Sequence, residues 1–377
     1  MTVRTSRPDA AASHALTDAA RRHDLDVLRG TAVALILVLH AGALTPGIEQ
    51  QPLVHALVSR GSVGMQLFFV LSGYLISDSW DRAQARPRAL RTFALRRVAK
   101  IAPLYLLMLH LNLAVYAWQS AQPAFAPLRN SVTAENLTVP NYLAHLFVLQ
   151  GLIPPWQHSL LDGSWSIAAE VYFYAAAPWL LSRVCIDAGA TLRYLGIALL
   201  VAAAFAYLAR DAAGAWGYYG LPSQFPAFLC GVLVHRLRRD QPAMRAGSAA
   251  IALMGTCAML AAGMLKGTTS PLGLHHVYAA LFGAILFATL TRAPSATGTL
   301  PMRALASLGR MSYAMFFAHL FLLKLIHPWL AANWTPQQWP QALAINAFVA
   351  LFGSLLLSLA VLHPIDKAFV ALARRRG

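Results

Sequence analysis

Apolar runs dominate this chain, and their lengths decide what kind of protein it is. Hydrophobic stretches long enough to cross a bilayer occur near 29–46, 61–79, 101–119, 165–182, 194–210, 222–235, 248–265, 274–291, 312–330 and 342–362. They predict an all-α, polytopic integral membrane protein with about ten transmembrane helices in one bundle. The run 141–153 is too short to cross and is followed by Pro154-Pro155, which predicts a half-helix lying in or dipping into one membrane face. Residues 1–23 are polar and lack an apolar core, so a disordered cytoplasmic tail is expected there. Residues 24–366 then form the membrane domain and 367–377 a basic cytoplasmic tail. No cleavable signal pattern precedes the first run, which is expected to remain as an anchor.

Composition sharpens this picture. Of 377 residues, 58% are hydrophobic and 12% charged, with a mean hydropathy of +0.54, which excludes an ordinary soluble domain. A net charge of +16 would suggest a nucleic-acid partner in a soluble protein. Here nearly all of the 30 Lys and Arg residues fall in the tails and in alternate interhelical segments. Arg60, Arg129, Arg210 and Lys266 lie on the other side, and Lys324 falls within the ninth run. That imbalance puts both termini in the cytoplasm and requires no nucleic acid. Cys185, Cys230 and Cys257 are odd in number, far apart and in apolar surroundings, so they read as small core residues. HExxH, CxxC, P-loop, GxGxxG and GxSxG patterns do not occur, and no catalytic metal is expected.

Polar residues inside apolar runs carry the chemistry. In DLDVLRGTAVALILVLH, residues 24–40, Arg29 and His40 are eleven apart. At about 100° per residue they return to nearly the same helix face, roughly 16 Å apart along the axis, with Asp26 close to that face. One helix would thus hold a cation near a membrane surface and an imidazole about halfway across, facing one cavity. Among the 14 acidic residues, Glu170 in SWSIAAEVYFY is the one inside an apolar run. Its burial costs at least ~2.5–3.5 kcal/mol unless it meets a cavity or a partner. A satisfied core histidine and an interhelical hydrogen bond are the plain structural alternatives. An imidazole that titrates near neutrality, with a buried carboxylate at comparable depth to orient it, points instead to catalysis. His319 is also intramembrane and is open between a structural and a functional role, whereas solvation accounts for His145, His275, His276 and His363.

The segment 82–100 carries Arg82, Arg86, Arg88, Arg91, Arg96, Arg97 and Lys100 and reads at its end as a helix running into the membrane. Arg96, Arg97 and Lys100 share a helical face at its entry. A positive-inside signal explains the number of charges; a site for polyphosphate explains their clustering against the Pro103 helix start. Gly61, Gly64 and Gly73 have spacings that let helices approach closely, with Ser72 beside the presumed cavity.

In order along the chain, LDVLRGTAVALILVLH with its Arg-x10-His pair, GMQLFFVLSGYLIS, FALRRVAKIAPLY, SWSIAAEVYFYAAAP, FPAFLCGVLV and SYAMFFAHLFLL resemble the membrane-bound acyltransferase 3 family. The resemblance implies an integral inner-membrane O-acyltransferase that moves acyl groups, usually acetyl, onto cell-surface sugars, lipids and some antibiotics. It implies acyl-CoA, most simply acetyl-CoA, as co-substrate reached from the cytosol, and a carbohydrate or glycolipid acceptor. His40 would be the catalytic base or acyl carrier and Glu170 would orient His40 or the acceptor hydroxyl, with Arg29, Asp26, Arg96, Arg97 and Lys100 on the acyl-CoA side. Two departures stand out: Lys100 replaces the second arginine of the family's Arg-x-x-Arg pattern, and His363-Pro364 replaces a Glu-Pro pair. A proton-coupled transporter built on the His40/Glu170 pair is the rival reading, although no inverted repeat is visible.

Overall fold

Helix α1 (Asp9–Ala43) carries the first motif and ends where its sequence requires. The Thr45 hydroxyl donates back to the Ala41 carbonyl at 2.8 Å, Pro46 cannot continue the helix, and Gly47 takes φ 74°. The computed structural model describes residues 9–121, 132–211, 215–241, 271–291, 298–333 and 338–376, and every regular element among them is helical. Because α1 begins at Asp9, much of the segment expected as a disordered tail extends the first helix. At the other end a helix spanning His363–Arg376 likewise runs through the expected basic tail.

Among the described residues, six helical segments are long and apolar enough to cross a membrane: His23–Ala43, Pro52–Gln84, Ala89–Ser120, Ala188–Leu208, Leu274–Thr291 and Trp339–Ala373. The pair Leu300–Arg310 and Ser312–Ile326, bent by 79°, makes a seventh if it counts as one broken span. Ten spans, the number expected from the sequence, are therefore not confirmed among the described residues. The run 248–265 lies outside the described residues. The run 165–182 forms a helix of 16 residues, Ser164–Trp179, which loosens into a π turn at Leu180–Val184. The run 222–235 sits in the helix Leu221–Asp240, whose last turns carry Arg236, Arg238 and Arg239 and lower its hydropathy. The short run near 141–153 does stop early: the helix Val139–Leu146 is capped by Thr138 and followed by 3-10 turns at Gln150–Leu152 and Pro154–Trp156.

Chain order gives the remaining labels: α2 (Pro52–Ser59), α3 (Gly64–Gln84), α4 (Ala89–Ser120), α5 (Val139–Leu146), α6 (Ser164–Trp179), α7 (Ala188–Leu208), α8 (Trp216–Tyr219) and α9 (Leu221–Asp240). They continue with α10 (Pro271–Thr291), α11 (Leu300–Arg310), α12 (Ser312–Asn333), α13 (Trp339–Phe348), α14 (Ser354–Leu357) and α15 (His363–Arg376). The tightest contacts are backbone on backbone. A Cβ on Gly73 of α3 would lie 2.0 Å from the Phe228 carbonyl oxygen, and one on Gly231 of α9 would lie 1.9 Å from that of Val70. Gly61 and Gly64 similarly abut the carbonyls of Leu35 and Ala32, so α3 runs antiparallel to α1 against its surface. The predicted close approach is thus met. Gly231→Leu should cost about 1–3 kcal/mol by overpacking, seen as a lower melting temperature of the purified protein in detergent; an unchanged value would mean that α3 and α9 separate freely.

Arg236 shows why charge counting alone misleads. It is 1% exposed and donates to Asp81 Oδ2 at 2.8 Å, to the Cys185 carbonyl at 2.8 Å and to the Leu181 carbonyl at 2.9 Å. A residue that reads as a loop charge therefore stitches α3, α9 and the end of α6, its buried charge satisfied on several sides. Cys185 and Cys230 are free and buried.

Candidate functional site

The sequence-marked residues fall into two stations. At one end of the bundle, Arg29 pairs with Asp26 at 3.0 Å, one turn apart on α1. Helix α4 brings Arg97 and Lys100 to the same end. Arg97 donates to Ser79 Oγ at 3.2 Å and stacks between the rings of Phe93 and Tyr174, with 5.6 and 5.8 Å to their centroids. Lys100 donates to Asp366 Oδ2 of α15 at 2.6 Å, 4.9 Å above the Tyr313 ring, and is within electrostatic reach of Arg29. The Nε atoms of Arg96 and Arg97 are buried without a hydrogen-bond partner among the described residues. Such donors are available to an anion.

Glu170 belongs to this station. Its Oε1 accepts from Ser72 Oγ at 2.6 Å, and that hydroxyl lies 3.3 Å from the Tyr174 hydroxyl. Arg97 and Lys100 are within its electrostatic reach. The antiparallel register explains the placement: Gly64 faces Ala32, so Ser72, roughly 12 Å further along α3, is level with Asp24, within about one turn of Asp26 on α1.

The second station holds the imidazoles. His40 lies in the last turn of α1, closer to the helix end than halfway across. Its ring packs on that of His319 of α12, with centroids 5.2 Å apart and planes inclined by 41°. His319 is fully buried. Its Nδ1 is 3.0 Å from the Met315 carbonyl; a carbonyl only accepts, so that nitrogen carries the proton. The Nε2 left over is an acceptor without a partner among the described residues. His158 is within electrostatic reach of His40, and an Asp162–Lys324 ion pair lies nearby, with Lys324 in reach of His158.

The structure therefore brings together Asp26 with Arg29, and Glu170 with Arg97 and Lys100, but it separates Glu170 from His40. Gly163, which opens α6, faces the Phe316 ring of α12, near the level of His319. Glu170 is roughly 10 Å further along α6, toward the cations. The expected Glu170–His40 pairing gives way to a His40–His319 pairing. Sequence reading left Asp366, His158 and Tyr313 aside. Only the i, i+3 spacing of Asp366 from His363, beside the altered His-Pro pair, could have flagged one of them.

Comparison with known proteins places the chain in a family. Residues 22–363 match the family described as Acyltransferase domain, so the chain, a multi-pass membrane protein, belongs to the membrane-bound acyltransferase 3 family. It is 26% identical over 255 residues to the "Putative membrane-bound transacylase BcsY" of Komagataeibacter xylinus, covering 65% of this chain and 58% of that protein. It is 22% identical over 202 residues to the "Regulator of hypoxia-inducible factor 1" of Caenorhabditis elegans, covering 48% of this chain and 33% of that protein. The chain thus spans less than two thirds of either relative. No solved structure gives a significant match.

Proposed function

We propose that the protein is an O-acyltransferase of the inner (plasma) membrane that moves an acyl group, most simply acetyl, from acyl-CoA to a hydroxyl of a polysaccharide, glycolipid or related glycosylated acceptor. The observation that carries this reading is the division of the family-motif residues into a cationic station and an imidazole station, joined by α1, which carries Arg29 to the first and His40 to the second. Arg96, Arg97 and Lys100, with Arg29 and Asp26 at the mouth, suit the phosphates of the donor on the cytosolic side. His40 suits the acceptor. A hydroxyl is a poor nucleophile at neutral pH; His40 takes its proton as the oxygen attacks the thioester carbonyl, and the thiolate leaves with that proton as the C–S bond breaks. Alternatively His40 carries the acyl group between the two stations. His319 behind it holds the ring and can accept its N–H.

Glu170 takes a different role from the one its isolation in the sequence implied. Its charge, anchored by Ser72, keeps Arg97 and Lys100 gathered, which makes it a positioning residue of the donor site. Glu170→Gln should therefore raise the KM for acyl-CoA by about tenfold, ~1.4 kcal/mol, and leave kcat at saturating donor near that of the wild type. A fall in kcat with unchanged KM would return Glu170 to the acceptor side. We further infer ten spans in all, with α6 and α9 among them and both termini cytoplasmic.

The transporter reading needs a His40–Glu170 relay, and their separation counts against it. Membranes containing the protein, given labelled acetyl-CoA and a panel of hydroxylated saccharides, should form an ester sensitive to mild base. Solute or proton flux without acetyl-CoA, and no ester with any acceptor, would favour the transporter.

A further inference from the structure

At the end of α3 away from the cations, Arg60, Gln66, Tyr218, Tyr219, His275 and Tyr278 line a cavity of about 320 Å³. Gln66 and Ser79, which binds Arg97, are thirteen residues apart on α3, so this cavity lies roughly 20 Å from the cationic station. Its walls are chemically distinctive. Three tyrosines line it, a side chain whose ring can pack on a sugar face and whose hydroxyl can hydrogen-bond a sugar hydroxyl. Gln66 is 1% exposed; its Nε2 donates to the Tyr218 hydroxyl at 3.3 Å and to Gln224 Oε1 at 3.2 Å. Its own Oε1 has no partner among the described residues and can accept from a ligand hydroxyl. His275 Nε2 lies 3.1 Å from the Ser223 carbonyl and so carries a proton.

Arg60 gives the cavity its sign. No carboxylate lines the cavity, and none of the ion pairs among the described residues involves Arg60. Its guanidinium is a planar fork for a carboxylate or phosphate. A ring contact links the cavity wall to the imidazole station. The Tyr219 ring meets His158 edge-on at 4.5 Å between centroids, His158 is within electrostatic reach of His40, and the His158 Nε2 is buried without a hydrogen-bond partner among the described residues.

We propose that this cavity is the acceptor subsite and that it selects a saccharide bearing a negative charge, held by Arg60 while its rings lie on Tyr218, Tyr219 and Tyr278. The proposal rests on the acyltransferase reading but is tested without turnover. Purified full-length protein in nanodiscs is titrated by equilibrium dialysis with an oligouronate, a phosphorylated oligosaccharide and a neutral glucan of equal length, and acetyl-CoA binding is measured on the same samples. The wild type should bind at least one anionic oligosaccharide tenfold or more tighter than the neutral one; which one it prefers separates carboxylate from phosphate. Arg60→Gln should erase the preference and Arg60→Lys keep part of it. Tyr219→Ala should weaken charged and neutral ligands alike. Unchanged acetyl-CoA binding shows that each variant is folded. Equal binding of charged and neutral chains, no saccharide binding, or a preference that survives Arg60→Gln overturns the proposal. Failure of the wild type to bind acetyl-CoA would instead sink the acyltransferase reading, leaving the sugar result to decide the cavity.

Discussion

His40→Ala should lower acyl transfer by about 10²–10⁴-fold, the contribution of a positioned general base, while the protein accumulates and melts like the wild type. The side chain is half-buried in the last turn of α1, and the packing of that turn is carried by the buried neighbours Leu37 and Ala41. Removing the ring therefore takes away chemistry more than core. His40→Gln should not rescue, because an amide cannot accept the proton. His319→Ala should cost less, since His319 contacts His40 and not the acceptor. Retention of more than about a tenth of wild-type transfer, less than ~1.4 kcal/mol of barrier, would remove His40 from the catalytic role.

Neutralising the donor station should act on KM instead. Arg97→Gln combined with Lys100→Met removes two charge-assisted hydrogen bonds at ~1.5–3 kcal/mol each, so the KM for acyl-CoA should rise by roughly 10²–10⁴-fold. Lys100→Met alone would strand Asp366, whose side chain is 8% exposed beside its partner. Asp366→Asn is therefore added to keep the site neutral. Steady-state kinetics over a wide donor range decide the matter. An unchanged KM would reduce the basic segment to a topological signal, since the remaining arginines of 82–100 preserve span orientation.

What the sequence made legible was local. Arg29 and His40 lie on one helix, Arg97 and Lys100 enter the membrane on another, and the glycines of α3 meet facing carbonyls because each feature depends on helical spacing or on residue size. Partnerships between distant segments were not legible. Lys100 and Asp366 are 266 residues apart, and nothing in either segment's periodicity names the other. His319 carried no more signal than any intramembrane histidine until α12 packed it on His40. The level of Glu170 was not legible for a physical reason: the register of α3 on α1 and its bond to Ser72 set where it lies, and neither is written in the apolar run that carries it.

A sided reconstitution tests most directly the claim that the two stations form one acyl-transfer path through the membrane. Proteoliposomes are loaded with a hydroxylated saccharide acceptor and given labelled acetyl-CoA outside only. The account predicts ester on the lumenal acceptor, absent with His40→Ala. Ester formed in detergent, where the substrates mix, but none across the sealed membrane would contradict it.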